Sequence, residues 1–494
     1  MRETSLNSRL RERGERVPGE MALVTQDRGC GKAWTWAELD AVTSSLAADF
    51  TEAAGKYPHP VLLLAVDNDA TTVLRLIAAL RTDCAVTIVP RNAPEPATDA
   101  MHQALLLSGR DVVPAGERIA LVNRGRGTAR PLPPESLLLP TSGSAGKPKM
   151  VVDARLRAVG DRPRAGRLST AMNWRPGQRQ LVVGPLYHTA ALTYFVEGLH
   201  DGNLVVVPRS FDPHGILSII REWRVEWLQA TPYHLRHLAL AMRDESYDFS
   251  SIRGLLHSAA PCPAPLKRQW IDIVGPERLF ETYGSTEGIG VTLARGDEWL
   301  ARPGTVGRGF FTQIRVVDED GGQVPSGVSG KIYMRSGSLN RRLYLDNSDS
   351  NDVTPDGFAC IDDRGWLDDD GYLYLAPRQI AHIKIGGETV YPNEVESILM
   401  EHPAITDAGV VGILDDRLGE ALVALVVPAS NCDASALRGY MRARVARYKV
   451  PRLVAFVEKI PHVESGKPDR DRLAELAAAI IPQHSQRFTI NSRE

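Results

Sequence analysis

Leu137-Leu138-Leu139-Pro140-Thr141-Ser142-Gly143-Ser144-Ala145-Gly146-Lys147-Pro148-Lys149 carries an apolar, strand-like run into a loop of small hydroxyl and glycine residues with two lysines. Such a loop offers backbone N–H groups, hydroxyl donors and positive charge to a polyanion such as a triphosphate. Glycine permits close approach of the backbone, and Thr141, Ser142 and Ser144 donate without adding bulk. Gly143 and Gly146 lack the spacing of a Walker A loop. By itself the stretch fits two readings, a solvated turn and a phosphate cradle. The rest of the chain has to choose between them.

A length of 494 residues exceeds one ordinary core and predicts two or more domains. The hydrophobic fraction of 43% and charged fraction of 24% are those of a globular protein. A formal net charge of −2, with no long basic block, gives no electrostatic case for nucleic acid or an anionic membrane. Cys30, Cys84, Cys262, Cys360 and Cys432 are scattered and form no C-x-x-C pair, which argues against a disulfide framework and a cysteine zinc site. The charged residues 1–13 lack the apolar core of a signal peptide, and no run approaches the roughly 18 apolar residues of a membrane helix. A cytoplasmic enzyme, monomeric or homodimeric, without a membrane span or a nucleic-acid partner, is the expectation.

Residues 61–66 form a continuous apolar run, as in a strand buried on both faces. Asp67-Asn68-Asp69 follows with capping chemistry, and Val73, Leu76, Ile77 and Leu80 then fall on one helical stripe. Residues 84–89 read as the next strand, which completes a βαβ unit. The pattern recurs with a strand at 204–207, a stripe of Ile216, Ile219, Ile220 and Trp223, and a strand from Val225. This alternation predicts an α/β architecture with parallel sheet. From Thr305 to Leu375, short alternating runs between Gly, Asp and Pro predict a β-rich, more antiparallel subdomain. Beyond it the pattern predicts a small α+β domain with a helix from Asn393, strands at 408–413, 422–427 and 453–457, and a helix from Ala434. The proline-rich spots 131–134 and 261–265 read as loops.

Read in order, several separated segments resemble the adenylate-forming superfamily of acyl- and aryl-CoA synthetases, peptide-synthetase adenylation domains and luciferases. The opening loop is similar to that family's phosphate loop, T-S-G-T-T-G-x-P-K-G, with Ser144 and Ala145 in place of the two threonines and Met150 in place of the last glycine. Pro185-Leu186-Tyr187-His188, Ser258-Ala259-Ala260-Pro261 and Tyr283-Gly284-Ser285-Thr286-Glu287 resemble the next three motifs. Gly365-Trp366-Leu367-Asp368, Gly386-Gly387-Glu388, Tyr391-Pro392-Asn393-Glu394-Val395-Glu396, Tyr448-Lys449-Val450-Pro451 and Ser465-Gly466-Lys467-Pro468-Asp469-Arg470 continue the series. The resemblance covers nearly the whole chain. It implies an N-terminal AMP-binding domain over 1–377, a hinge at 378–381 and a mobile C-terminal domain over 382–494. Its texture is closest to ligases of bulky or cyclic acids.

The resemblance implies ATP and Mg²⁺, with CoA as co-substrate. Thr141, Ser142, Gly143, Ser144, Ala145, Gly146 and Lys149 would hold the β- and γ-phosphates; Glu287, with Ser144, would hold the metal, and Thr286 would donate to the α-phosphate. Read alone, Thr286-Glu287 is also a helix cap. Tyr283 would stack on adenine beside Ala259, Ala260, Gly284 and Ser285. Asp363 would accept the ribose hydroxyls, and Arg378 would reach ribose or phosphate. The family triplet Thr-Gly-Asp is here Ile361-Asp362-Asp363, which leaves open which aspartate acts. Lys467 would bridge the acid carboxylate and the α-phosphate. His188 would gate the acid pocket or serve as a core histidine, and Tyr187, Thr193, Tyr194, Tyr233, His257 and Ile289 would line that pocket.

For the second half-reaction, Gly386 and Gly387 would line an acceptor channel. The hinge reads Pro377-Arg378-Gln379-Ile380-Ala381, which keeps the arginine, loses the family's charged pair and gains a stiffening proline. Thioester formation with CoA therefore stands beside transfer to another acceptor, as in an amide ligase or a nitrite-activating diazotase of secondary metabolism. A non-catalytic binding module is the reading of a different class. No carrier domain follows Arg470, so a self-loading peptide-synthetase module is not expected.

Overall fold

The structure is a computed structural model and describes residues 5–27, 30–91, 111–114, 132, 136–141, 149–153, 156–157, 166–243, 246–285, 287–336, 343–344, 353–376, 383–385, 388–390, 392–415, 419–430, 432–462 and 468–484. Two compact units divide the chain: residues 1–259, 270–362 and 367–374 form the larger, residues 260–269, 363–366 and 375–494 the smaller. The expected hinge at 378–381 lies outside the described residues.

In the larger unit, strand–helix alternation builds two sheets. Six adjacent strands of a nine-stranded sheet run parallel, in the order Leu279–Gly284, Gly254–His257, Trp227–Ala230, Arg179–Val182, Leu204–Pro208 and Met21–Asp27. Antiparallel strands close its two sides, Val291–Arg295 and Arg308–Gly309 on one and Cys30–Thr35 on the other. The second sheet has six strands, ordered Leu343–Tyr344, Lys149–Asp153, Leu137–Thr141, Ala85–Pro90, Pro60–Val66 and Asp111–Pro114. The βαβ unit read from the sequence sits here: Pro60–Val66 and Ala85–Pro90 pair in parallel, and helix Ala70–Leu80 connects them. Asp69 caps that helix by accepting the N–H groups of Thr71 and Thr72 at 2.9 and 3.2 Å. Residues 5–54, for which the sequence reading assigned no elements, form helix Ser5–Arg16, the hairpin of Met21–Asp27 and Cys30–Thr35, and helix Trp36–Ala54.

Both sheets and the helices share one core. Leu62, Leu64, Val86 and Leu137 enter it from the six-stranded sheet, and Leu23, Val182, Val205 and Val207 from the nine-stranded one. Each such side chain, fully buried, contributes about 1.5–3 kcal/mol. Helix Thr189–Asp201 lies within this core, and ten of its thirteen residues are buried. Its polar residues therefore need partners inside the protein. Ser169 Oγ donates to Glu197 at 2.5 Å, Arg167 donates to Asp201 Oδ1 at 3.0 Å, and Trp174 Nε1 donates to Asp201 Oδ2 at 2.8 Å.

The β-rich region read between Thr305 and Leu375 is a four-stranded sheet of Thr312–Val317, Gly330–Ser336, Ala359–Leu367 and Leu373–Leu375. One expectation fails locally. The 261–265 segment is not loop throughout, because helix Ala264–Val274 begins inside it, with Lys267 N–H donating to Pro263 O at 3.0 Å. Pro265 occupies the first turn, where a missing N–H costs nothing.

The smaller unit holds a sheet of Glu388–Val390, Ile383–Ile385, Gly419–Pro428 and Ile405–Asp415, with Leu453–Phe456 pairing in parallel with Gly419–Pro428. Alternation along Gly419–Pro428 divides its residues between two cores. Leu422, Ala424 and Val426 pack with residues of helices Pro392–Met400 and Ala434–Arg442, and Val423 and Leu425 with Leu473 and Ala477 of helix Arg470–His484. Glu396 joins these parts: its two oxygens accept from Nη1 and Nη2 of Arg470, and its Oε1 also accepts Val410 N–H at 2.8 Å. Replacing Glu396 with Ala leaves Arg470 only the neutral acceptors Val410 O and Asn393 Oδ1 and strands the Val410 donor, and we expect a loss of about 2–4 kcal/mol. Scanning calorimetry of the full chain should show one transition moving down; an unchanged profile would mean that the fork is not a structural tie.

Candidate functional site

Parallel strands put their carboxyl ends on one edge of a sheet, and the loops leaving that edge are where α/β folds build sites. Four adjacent strands of the nine-stranded sheet do so here. After Arg179–Val182 comes the 183–188 segment, in which His188 N–H donates to Pro185 O at 3.1 Å. His188 is the N-cap residue of helix Thr189–Asp201, its carbonyl accepting Leu192 N–H at 3.0 Å, and its ring lies 4.7 Å from that of Tyr187. After Trp227–Ala230 comes Thr231, which caps helix Pro232–Ala241 in a reciprocal box with His234. Thr231 N–H donates to His234 Nδ1 at 3.2 Å, so the neutral ring carries its proton on Nε2. Burial first, then the charges of His237 and His188, push the His234 pKa down to about 3.

After Gly254–His257 the chain turns through Ser258 and Ala259, and Ala259 adopts φ +74°. A left-handed backbone at a residue with a Cβ costs about 1–2 kcal/mol. After Leu279–Gly284 comes a turn closed by Gly288 N–H to Ser285 O at 3.0 Å, leading into Val291–Arg295. Glu287 is therefore on a hairpin connection, and the alternative reading of Thr286-Glu287 as a helix cap does not apply. Close backbone approach requires the flanking glycines. A Cβ on Gly284 would meet Gly290 O at 2.7 Å, and one on Gly290 would meet Thr312 Cγ2 at 2.5 Å. Tyr283, part-exposed, stands opposite Thr292, and Ile289 is buried. Ser285 Oγ is buried without a hydrogen-bond partner among the described residues.

In the six-stranded sheet, Leu137–Thr141 and Lys149–Asp153 form an antiparallel pair with Thr141 opposite Lys149. That pair brackets residues 142–148. Ser142, Gly143, Ser144, Ala145 and Gly146 lie outside the described residues, as do the side chains of Thr141 and Lys149. Thr286, Arg378, Gly386, Gly387 and Lys467 also lie outside them. The ends of the Lys467 segment are described: His462 and Pro468 form a β-bridge, and Asp469 N–H donates to Pro461 O at 2.9 Å. In the smaller unit Asp363 is 5% exposed, on strand Ala359–Leu367, and Ala260 lies in the 260–269 run.

The expected pocket residues do not fall together. Tyr194 packs between Trp174 and Trp227, in a core with Leu256 and Phe280, and burial raises its pKa. His257 follows Leu256 on an extended strand, so it faces the other side of the sheet. There its Nδ1 lies 3.9 Å from Glu281 Oε1, both residues buried. The structure does group His188, His234, His237, Phe211, Tyr187 and Tyr233 through ring contacts and the electrostatics of His234. Sequence reasoning missed His234 and Glu281; a proline followed two residues later by a histidine, just after a strand, was the available sign of the first. Other motif residues prove architectural: Lys449 Nζ donates to Glu394 at 2.6 and 2.8 Å. Among the described residues no cluster of three His, Cys, Asp or Glu could hold a metal. Mg²⁺ needs less, because one or two carboxylates suffice where phosphates supply the remaining oxygens, and Glu287 on its turn fits that use. No helix among the described residues is long and apolar enough to cross a membrane.

Residues 125–344 match the family pattern of AMP-binding enzymes, and residues 394–467 match that of the AMP-binding enzyme C-terminal domain. A feruloyl-CoA synthase from Amycolatopsis sp is 33% identical over 372 residues, 74% of either chain. An indoleacetate–CoA ligase from Aromatoleum aromaticum is 30% identical over 398 residues, 80% of this chain and 75% of the relative. The solved o-succinylbenzoate CoA synthetase from Bacillus subtilis, in complex with its acyl-adenylate intermediate, superposes with a TM-score of 0.73 at 24% identity, covering 94% of this chain and 97% of that one.

Two outcomes follow from the strained and buried groups. Ala259→Gly should raise stability by up to about 1 kcal/mol, read as a higher urea midpoint; a lower midpoint would mean that Cβ packing outweighs the strain. His234 has a lowered folded pKa, so the unfolded state binds its proton more readily. That difference removes stability as pH falls from about 6.5 towards 3. The unfolding midpoint of His234→Gln should therefore depend less steeply on pH in that window than the wild type's.

Proposed function

Because the chain belongs to the AMP-binding enzyme family, we propose that it is an AMP-forming ligase that adenylates a carboxylic acid with ATP and passes the acyl group to CoA. The observation that carries this reading is the common origin of three motif segments. Those bearing His188, Ala259 and Glu287 all leave the carboxyl ends of strands within one run of four adjacent parallel strands. The relatives' names add the acceptor and the substrate class: feruloyl-CoA synthase and indoleacetate–CoA ligase each name an aromatic acid and CoA. We assign this chain an aryl or arylalkanoic acid.

The first step brings a carboxylate against the α-phosphate while pyrophosphate departs, so the site must supply positive charge and aligned donors. The 141–149 loop would hold the β- and γ-phosphates through backbone N–H groups, hydroxyls and Lys149. Thr286 would donate to the α-phosphate and Lys467 would meet the carboxylate and that phosphate together. Tyr283 would stack on adenine with Ala259 and Ala260 alongside, and Asp363 would accept the ribose hydroxyls, with Arg378 as a further donor. Glu287 would hold Mg²⁺, which when bound neutralises charge on the phosphates and the departing pyrophosphate. His188 would close the acid side next to the phosphate loop. The Gly386-Gly387 segment would line the path of the thiol, and the 378–381 segment would serve as the hinge between the two half-reactions.

Pyrophosphate release, screened over aryl, arylalkanoic and fatty acids and nitrite with and without CoA, tests the reading. Turnover of an aromatic acid that depends on CoA is expected, and nitrite-dependent release without CoA would overturn it. In Lys467→Ala, pyrophosphate release should fall by about 100-fold or more, while thioester formation from preformed acyl-adenylate persists.

A further inference from the structure

We propose that Asn68 is a positioning residue for the adenylation step, holding the 183–188 segment and with it His188 against the carboxyl edge of the six-stranded sheet. The inference rests on the acid-activating reading given above.

Asn68 stands two residues beyond strand Pro60–Val66 and immediately before Asp69, the N-cap of helix Ala70–Leu80. It is 5% exposed, and an amide so buried requires partners. Its Nδ2 donates to Gly184 O and Pro208 O, each at 3.2 Å, and its Oδ1 accepts Leu186 N–H at 3.0 Å. The partners fix the orientation of the amide, because two carbonyl oxygens can only accept and a backbone N–H can only donate. One side chain thus reaches three residues between 116 and 140 positions away.

The places it reaches matter. Gly184 and Leu186 belong to an irregular run between strand Arg179–Val182 and helix Thr189–Asp201, and neither has a place in a sheet ladder. Irregular buried backbone must find its hydrogen bonds elsewhere, and Asn68 provides two of them. Pro208 ends strand Leu204–Pro208 of the nine-stranded sheet. The amide therefore ties the carboxyl edges of the two large sheets at one point. From Leu186 the tie passes directly to His188, whose N–H bonds back to Pro185 O at 3.1 Å and whose carbonyl opens the helix. Neighbouring polar groups are engaged otherwise: Asp69 caps Thr71 and Thr72 and pairs with Arg91 at 3.1 Å. A displacement of about 1 Å at a reacting group costs on the order of 100-fold in rate, so this tie bears on activity as well as on folding.

Asn68→Asp keeps the shape but turns a carboxylate oxygen towards the carbonyls of Gly184 and Pro208; Asn68→Ala removes all three bonds. In the full chain, at a temperature where circular dichroism shows each variant folded, kcat for pyrophosphate release should fall about 10- to 100-fold. The KM for ATP should stay within about threefold. Placed on His188→Ala, Asn68→Ala should lower kcat by less than about threefold further, although the thermal midpoint falls equally in both backgrounds. In protein labelled with 13C-histidine, the His188 ring resonance (identified by its loss in His188→Ala) should shift in Asn68→Asp, and that of His462 should not. A lowered midpoint with unchanged kcat and an unmoved His188 resonance would overturn the proposal, as would fully multiplicative losses in the double variant. Absence of pyrophosphate release from the wild type with every acid would remove the acid-activating reading instead, and the His188 resonance would still decide whether Asn68 holds that segment.

Discussion

A helix with ten of its thirteen residues buried sets the terms for the larger unit. Most of Thr189–Asp201 is withdrawn from solvent, so Ala191, Leu192, Phe195, Val196 and Leu199 join the core shared by both sheets and its acids are met by Arg167, Ser169 and Trp174. Once that helix is fixed, its first residue is fixed with it, and the N-cap is His188. The chemistry proposed for this edge inherits its geometry from a core decision made a full helix length away. A helix N-terminus also carries partial positive charge, which is consistent with the anionic substrates proposed for this edge.

The same edge shows how environment assigns work among like residues. His188, His234 and His237 interact, yet His234 is held neutral well below physiological pH by burial and by the other two. A neutral ring with Nδ1 committed to Thr231 is a hydrogen-bonding strut. Elsewhere ion pairs act as joints: Glu394 with Lys449 and Glu396 with Arg470 knit the smaller unit, although all four stand in segments that read as one functional series.

Period and punctuation carried most of the fold. The strand at 60–66, the capped helix after it, the parallel partner at 85–90 and the elements of the smaller unit follow from runs, stripes and caps that are local in sequence. What stayed hidden was pairing over distance. Nothing local marks Leu137–Thr141 and Lys149–Asp153 as antiparallel neighbours, or Asn68 as a partner of Gly184 and Leu186. Pro265 misled because proline suits a first helical turn as well as a loop. Motif order singled out Tyr283, Glu287 and His188, and the structure puts their segments at strands Leu279–Gly284 and Arg179–Val182 of one sheet. Side-chain facing was not legible: Tyr194 and His257 looked alike as pocket walls and lie on opposite faces of the sheet.

The antiparallel pair of Leu137–Thr141 and Lys149–Asp153 holds the ends of the segment it brackets close together. Five consecutive register pairs, from Leu137 with Asp153 to Thr141 with Lys149, fix both ends of the seven residues between them. Closing a segment costs that segment entropy, and the ladder's pairing offsets the cost. The ladder thus sets the span that the residues between must bridge, and Met150, opposite Pro140, belongs to the ladder itself.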